Sequence, residues 1–360
     1  MKPLSGHFEA EPRLRILMKA LSAAHLAFLV SFVAVLTLAV DAARAQEIVC
    51  GGENLMPTLE ADHAEAVAAI EAVEAEVANG DALLWRIDKD GVEPSWLFGT
   101  MHVADPRITA MTPAAREAFD QAGVIAVEVK EIGDNPEKLA GVLFGNPEFS
   151  TLPEGQTMGD ILDEEETAVL KAALRRKGVP YVSVSKMKPW LVMSMLSTRD
   201  CDAKHLQDGR KLLDMKLAQD AADSGKTLLG LETIEEQFGA INATPLDMQI
   251  DMLMATAALD DRMDDLHETM TVLYLERRIA AIMPMLAEMS KIYGFPDADA
   301  QTAIFEDELI IKRNRTMAER AGPIIDEGNA FLAVGALHLP GDDGLVELLR
   351  KNGYRVTAVD

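Results

Sequence analysis

Basic side chains are scarce in this chain. Thirty-four Lys and Arg stand against 59 Asp and Glu, for a formal net charge of −25 over 360 residues. A surface so acidic repels phosphate backbones and anionic lipid headgroups, which argues against nucleic acid as a partner. It suits a cation or a basic peptide, although acidity by itself also serves solubility. Long polar low-complexity stretches are missing as well. With 49% hydrophobic residues the chain can bury a sizeable core, in one large domain or two coupled halves. Only two cysteines are present, Cys50 and Cys201, so a single intramolecular pairing is possible.

Several catalytic signatures are absent or incomplete. There is no Gly-x-Ser-x-Gly elbow. His267-Glu268 has Thr271 where a zincin helix needs its second histidine. Ser224-Gly225-Lys226-Thr227 looks like the end of a P-loop, but Asp220 replaces the first glycine and the segment runs from helix to strand. Met248, Met252, Met283 and Met289 fall on helical spacings and read as core filler.

The N-terminus carries a targeting pattern. Lys2, Arg13, Arg15 and Lys19 precede the apolar run Leu26 to Val40, and Ala43-Arg44-Ala45 supplies small residues for cleavage before Gln46. The apolar run is fifteen residues long, short of the roughly 20 a spanning helix needs, so a cleaved signal is expected rather than an anchor. Met18 is an alternative start. An exported chain meets an oxidising compartment, where Cys50 and Cys201 would pair and pin the N-terminal tail, otherwise weakly held, onto the body.

After the signal, residues 46–81 read as a helical lead-in, with a helix over 58–78 stopped by Asn79-Gly80-Asp81. Residues 82–360 read as one domain of mixed α/β (α+β) class. Its central mixed sheet would be built from two loosely repeated halves with large helical insertions. The expected strands are 83–87 and 95–101 as a hairpin, then 124–129, 227–230, 330–334 and 354–359. Helix is expected over 113–122, through most of 135–225, from 245 to about 321, and over 343–352 with Gly353 as its cap.

The strongest signal occurs twice. Trp96-Leu97-Phe98-Gly99-Thr100-Met101-His102 and Leu332-Ala333-Val334-Gly335-Ala336-Leu337-His338 each place Gly-x-x-His after an apolar strand. Two such strands side by side would bring two imidazoles together at the mouth of a sheet, as a metal or acid/base site requires. Glu128 interrupts another apolar strand and needs a cation or hydrogen-bond donors. Glu232 ends a fourth strand, where a role in capping the next helix is equally open. Arg313 and Asn314 lie in the helix before the second motif. Arg313 would pair with a buried glutamate, hold a developing oxyanion, or form an ordinary surface ion pair.

These residues, with Lys188-Pro189-Trp190, Gly230-Leu231-Glu232-Thr233, Glu236-Gln237 and Arg313-Asn314-Arg315, resemble the TraB/GumN family, relatives of the Tiki metalloproteases. The match runs in order from about residue 82 to the end. It implies a fold shared with haem-binding ChaN-like proteins and erythromycin esterases. It implies an active site containing His102, His338 and Glu128, with Glu232 and Arg313 behind them. The expected activity is hydrolysis of peptides with a divalent metal ion (manganese, cobalt or zinc), His102, His338 and Glu128 being ligands and Glu128 alternatively the base. Sequestration of a peptide or haem, and metal-free esterase-like hydrolysis, are the competing expectations.

Overall fold

In the computed structural model, residues 50–131, 141–143 and 145–360 are described; the expected signal segment lies outside them. Six strands form one mixed sheet: β1 (Leu84–Asp88), β2 (Ser95–Thr100), β3 (Val124–Val127), β4 (Thr227–Gly230), β5 (Ala330–Gly335) and β6 (Arg355–Ala358). Their order is β4-β3-β5-β2-β1-β6. The four strands from β4 to β2 are parallel, and β1 pairs antiparallel with both β2 and β6. The two Gly-x-x-His strands are thus direct neighbours, with Thr100 opposite Gly335. β3, which leads into Glu128, lies on the other side of β5. Parallel strands put all their carboxyl ends on one edge, and that edge is where open α/β sheets bind ligands.

Period-two alternation makes the sheet the wall between two cores. Phe331 and Ala333 point to one face with Phe98, Phe119, Ile125 and Leu84. Leu332 and Val334 point to the other with Trp85, Leu97, Met317 and Leu349. The Phe331 ring lies 5.7 Å from Phe98 and 5.6 Å from Phe119, centroid to centroid. A third cluster, with Met158, Leu170, Val192 and Leu253, takes nothing from the six strands and belongs to the insertions.

The helix expected over 58–78 is two helices, α1 (Met56–Asp62) and α2 (Ala64–Glu76). They are not a loose tail, because Leu59 and Ile70 are buried in the main core. The stretch expected to be helical from 245 divides into α3 (Leu246–Ala258), α4 (Met263–Leu275), α5 (Ile282–Ile292), α6 (Ala298–Glu306) and α7 (Lys312–Glu327). A π-turn, Asp307–Ile311, joins α6 to α7. Cys50 and Cys201 form a disulfide across 151 residues of sequence. Among the described residues no helix is long and apolar enough to cross a membrane.

Candidate active site

β5 ends at Gly335, and the chain turns through a 3-10 segment, Ala336–His338. Gly99, near the end of β2, lets this turn sit close against it. A β-carbon there would lie 2.7 Å from Leu339 Cδ1 and 3.1 Å from Ala336 Cα. The Tyr274 hydroxyl donates to the Gly99 carbonyl at 2.7 Å, fixing the approach from α4. At Gly335 a side chain would intrude among three functional groups. A β-carbon would stand 3.2 Å from Glu128 Oε1, 3.5 Å from His338 Cδ2 and 3.9 Å from His102 Nε2. Glu128, His338 and His102, far apart in sequence, therefore surround one point at the carboxyl edge of the sheet.

His338 is buried, and its tautomer is determined by its neighbour. Asn314 Nδ2 donates to the Asp343 carbonyl at 2.8 Å, so Asn314 Oδ1 faces the ring. His338 Nδ1 therefore donates to Oδ1 at 2.7 Å. Nε2 keeps its lone pair and lies 3.8 Å from Glu128 Oε1. Burial, only partly offset by Glu128, holds the His338 pKa down at about 4, so the ring is neutral at physiological pH.

Glu128 is buried but well supplied with donors. Oε1 accepts from the Gly335 amide at 2.6 Å. Oε2 accepts from Arg313 Nη2 at 2.6 Å and from Gln237 Nε2 at 3.3 Å. Desolvation alone would raise its pKa, but His338, once protonated below about 4, the Arg313 and His102 charges and the Gly335 amide together depress it to about 2. Arg313 also donates to Glu232, Nε at 3.0 Å and Nη2 at 2.6 Å, and through Nη1 to the Leu309 carbonyl of the π-turn at 3.1 Å. The π-turn thus aims the guanidinium, in keeping with the frequency of such turns at functional sites. Glu232 is brought to Arg313 but lies behind it and does not line the cleft. Burial raises the Glu232 pKa. The cap of the following helix, Ile234–Ala243, is Thr233, whose hydroxyl accepts from the Glu236 amide while Glu236 reaches back; Glu232 takes no part in it.

His102 sits on the open side, its side chain 60% exposed. Its Nδ1 is 2.7 Å from Asp214 Oδ2, and Asp214 Oδ1 accepts the Thr100 hydroxyl. Asp214 raises the His102 pKa to about 9. Asp214, in the first turn of the helix Leu213–Asp223, was not foreseen from the sequence: a lone acid at a helix start is ordinary, and its pairing with the first motif exists only in three dimensions. Gln237 became legible through the resemblance, and its hydrogen bond gives it a reason. Lys188-Pro189-Trp190 opens a helix, Pro189–Ser197, and sets Trp190 in the cleft wall.

The cleft has a volume of about 400 Å³, with His102, Glu128, Arg313 and His338 along one side and apolar walls including Met193 and Phe305. Among the described residues, the potential metal donors that approach within 4.8 Å of one another are Cys50, Asp202 and His205, not the two motif histidines with Glu128. Cys50 is in the disulfide and has no thiolate to offer, so that cluster is not a metal site.

The chain is 26% identical over 319 residues to Metalloprotease TIKI1 of Danio rerio, covering 77% of this chain and 63% of that protein. It is 26% identical over 321 residues to Metalloprotease TIKI1 of Homo sapiens, covering 77% and 61%. For the Metalloprotease TIKI homolog of Nematostella vectensis the identity is 24% over 331 residues, covering 78% and 68%. The chain thus spans a little over three-fifths of the length of the first two relatives. No solved structure matches it. A sequence model of the TraB/PrgY/gumN family matches residues 83–358, which include both Gly-x-x-His motifs, Glu128, Glu232 and Arg313, and the chain belongs to that family.

Proposed function

We propose that this protein is an exported, metal-dependent hydrolase of peptides or proteins. His102 and His338 would hold one divalent cation, with Glu128 as the third ligand. The observation that carries this reading is the bare Nε2 of His338, kept unprotonated by Asn314, beside an ionised Glu128 where both face Gly335. Two imidazoles and one carboxylate fit manganese, cobalt or zinc and leave coordination positions for substrate and water. Such an ion would polarise a carbonyl and bring the pKa of a coordinated water toward neutrality.

The remaining work belongs to the chain. Asn314 and Asp214 orient the two imidazoles, the usual outer support of metal-binding histidines. Arg313 offsets the charge of Glu128 and Glu232 and leaves only one Nη1 hydrogen uncommitted. A Glu128 pKa near 2 suits an anionic ligand better than a proton acceptor near neutral pH. The names of the relatives support a peptide or protein substrate. The N-terminal pattern and the disulfide support export, with residues 82–360 as the functional domain after the lead-in 46–81.

The test is metal analysis of protein purified without chelator or nickel resin, beside His102→Ala and His338→Ala, with cleavage of a peptide library in manganese, cobalt or zinc. Wild type should carry metal that both variants lose, and Glu128→Gln should lower both occupancy and turnover. Activity retained in chelator would replace this reading with a metal-free hydrolase. Peptide or haem binding without cleavage under any metal would leave a sequestering protein.

A further inference from the structure

The cleft continues on its Asp214 side. A second cavity, about 280 Å³, lies there, with Val127, Val129, Leu212 and Met215 among its walls. It shares His102, Glu128 and Gln237 with the first. A chain laid across the site from one cavity to the other passes those three side chains. Two of them belong to the metal set proposed above; Gln237 does not.

Gln237 is anchored through both of its neighbours. Glu236 closes the capping box of the helix Ile234–Ala243 and pairs with Arg320 at 2.7 Å. The Phe238 ring packs on Trp190, their centroids 5.8 Å apart. The amide also has one orientation. Glu128 is ionised and can only accept, so the end of Gln237 that faces it at 3.3 Å is Nε2. Oε1 points away. No described residue donates to Oε1, and it is not sealed from solvent. Nε2 carries two hydrogens, and Glu128 takes one of them.

An open amide is ordinary on a surface, but in this cleft it stands apart. The hydroxyls of Thr100, Ser194 and Tyr274 donate to Asp214, the Trp190 carbonyl and the Gly99 carbonyl. Trp190 Nε1 donates to the Phe149 carbonyl. Arg313 has one hydrogen left. Apart from the two imidazoles, the polar side chains of the cleft are thus engaged within the protein, while Gln237 keeps both an acceptor and a donor hydrogen.

We propose that Gln237 reads the backbone of a peptide crossing the site: Oε1 accepts the N–H of one extended residue, and the second Nε2 hydrogen donates to the C=O of that same residue. The two backbone groups lie on one side of an extended chain, as in the paired bonds of an antiparallel ladder, and a planar amide offers the matching acceptor and donor. Such a contact ignores the side chain and sets the register of the peptide against Glu128. That the ligand is a peptide rests on the hydrolase reading above.

The experiment keeps the two apart. The probe is a blocked leucine–alanine hexapeptide amide, with analogues in which one backbone N–H at a time is replaced by an ester oxygen. Binding to metal-free protein is measured by calorimetry, and cleavage of the parent peptide is measured with manganese, cobalt or zinc. In wild type, the ester at the position read by Gln237 should weaken binding about 5–10-fold, the effect of one hydrogen bond lost. Gln237→Met should weaken the parent peptide at least as much and bind that ester no worse than the parent, while the other esters keep their cost. Circular dichroism and thermal unfolding check that the variant is folded. A residue that only steadied Glu128 would change cleavage and leave the ester pattern as it is in wild type. That unchanged pattern, undiminished peptide binding by Gln237→Met, or no binding by wild type at millimolar peptide overturns the proposal; cleavage by wild type would still leave the hydrolase reading standing. Loss of the ester penalty at one position, with no cleavage under any metal, supports the role of Gln237 and removes the hydrolase reading.

Discussion

Replacing Arg313 by methionine tests how the buried charges of the site are held. The Arg313 side chain is 12% exposed, and those of Glu128 and Glu232 are 7% and 3% exposed. One guanidinium joins two carboxylates that would otherwise repel each other out of water. An exposed pair would contribute 0–1 kcal/mol, but a buried charge left without its partner costs about 3–5 kcal/mol. Arg313→Met should therefore lower unfolding free energy in urea by that amount, roughly a 5–8 °C fall in Tm for a domain of this size. The loss should depend on pH. Burial already raises the Glu232 pKa, and without Arg313 it would rise further. A carboxylate with a raised folded pKa stabilises the fold as pH falls toward its unfolded value, so the deficit should be larger at pH 8 than at pH 5. Adding Glu232→Gln should recover about 1–3 kcal/mol at pH 8, because one of the facing charges is gone. A loss under 1 kcal/mol that is the same at both pH values would refute the argument.

Three further outcomes are expected. Because His338 is neutral in the fold with a pKa near 4, against an ordinary value of about 6.5, the unfolded chain gains a proton first. Stability should fall by about 3 kcal/mol as pH drops from about 6.5 to 4, with further loss from about 4.5 down to about 2 as Glu128 takes its proton first in the unfolded chain; flat denaturation midpoints over that range would contradict it. Asp214→Asn removes the carboxylate behind His102 and should weaken manganese binding about 10–100-fold by calorimetry; unchanged affinity would show that His102 needs no such support. Reducing the disulfide should cost about 2–5 kcal/mol. Faster hydrogen exchange should stay within residues 50–54, since the Leu55 amide keeps its bond to Thr269 Oγ1 at 2.8 Å; exchange spreading through α1 and α2 would disprove that local hold.

The sequence by itself determined the strands, the glycines and the chemical types at the site. An apolar run that stops at Gly-x-x-His points to a strand end, and an acid within an apolar strand must meet donors, whatever the rest of the fold does. The sequence also left Cys50 a single partner. Tertiary structure decided the rest, because the remaining choices depend on residues far apart along the chain. β5 lies between β3 and β2 through hydrogen-bond register that no local pattern encodes. The tautomer of His338 depends on Asn314 being turned by the Asp343 carbonyl. Asp214 meets His102 because a helix in the insertion packs against the end of β2. Glu232 became the partner of Arg313, while Thr233 took the capping role that local pattern had left open to Glu232. The methionine spacing could only say helix; whether those side chains closed a core or lined a cavity was decided by how α3, α4, α5 and α6 pack around the empty space beside Leu337.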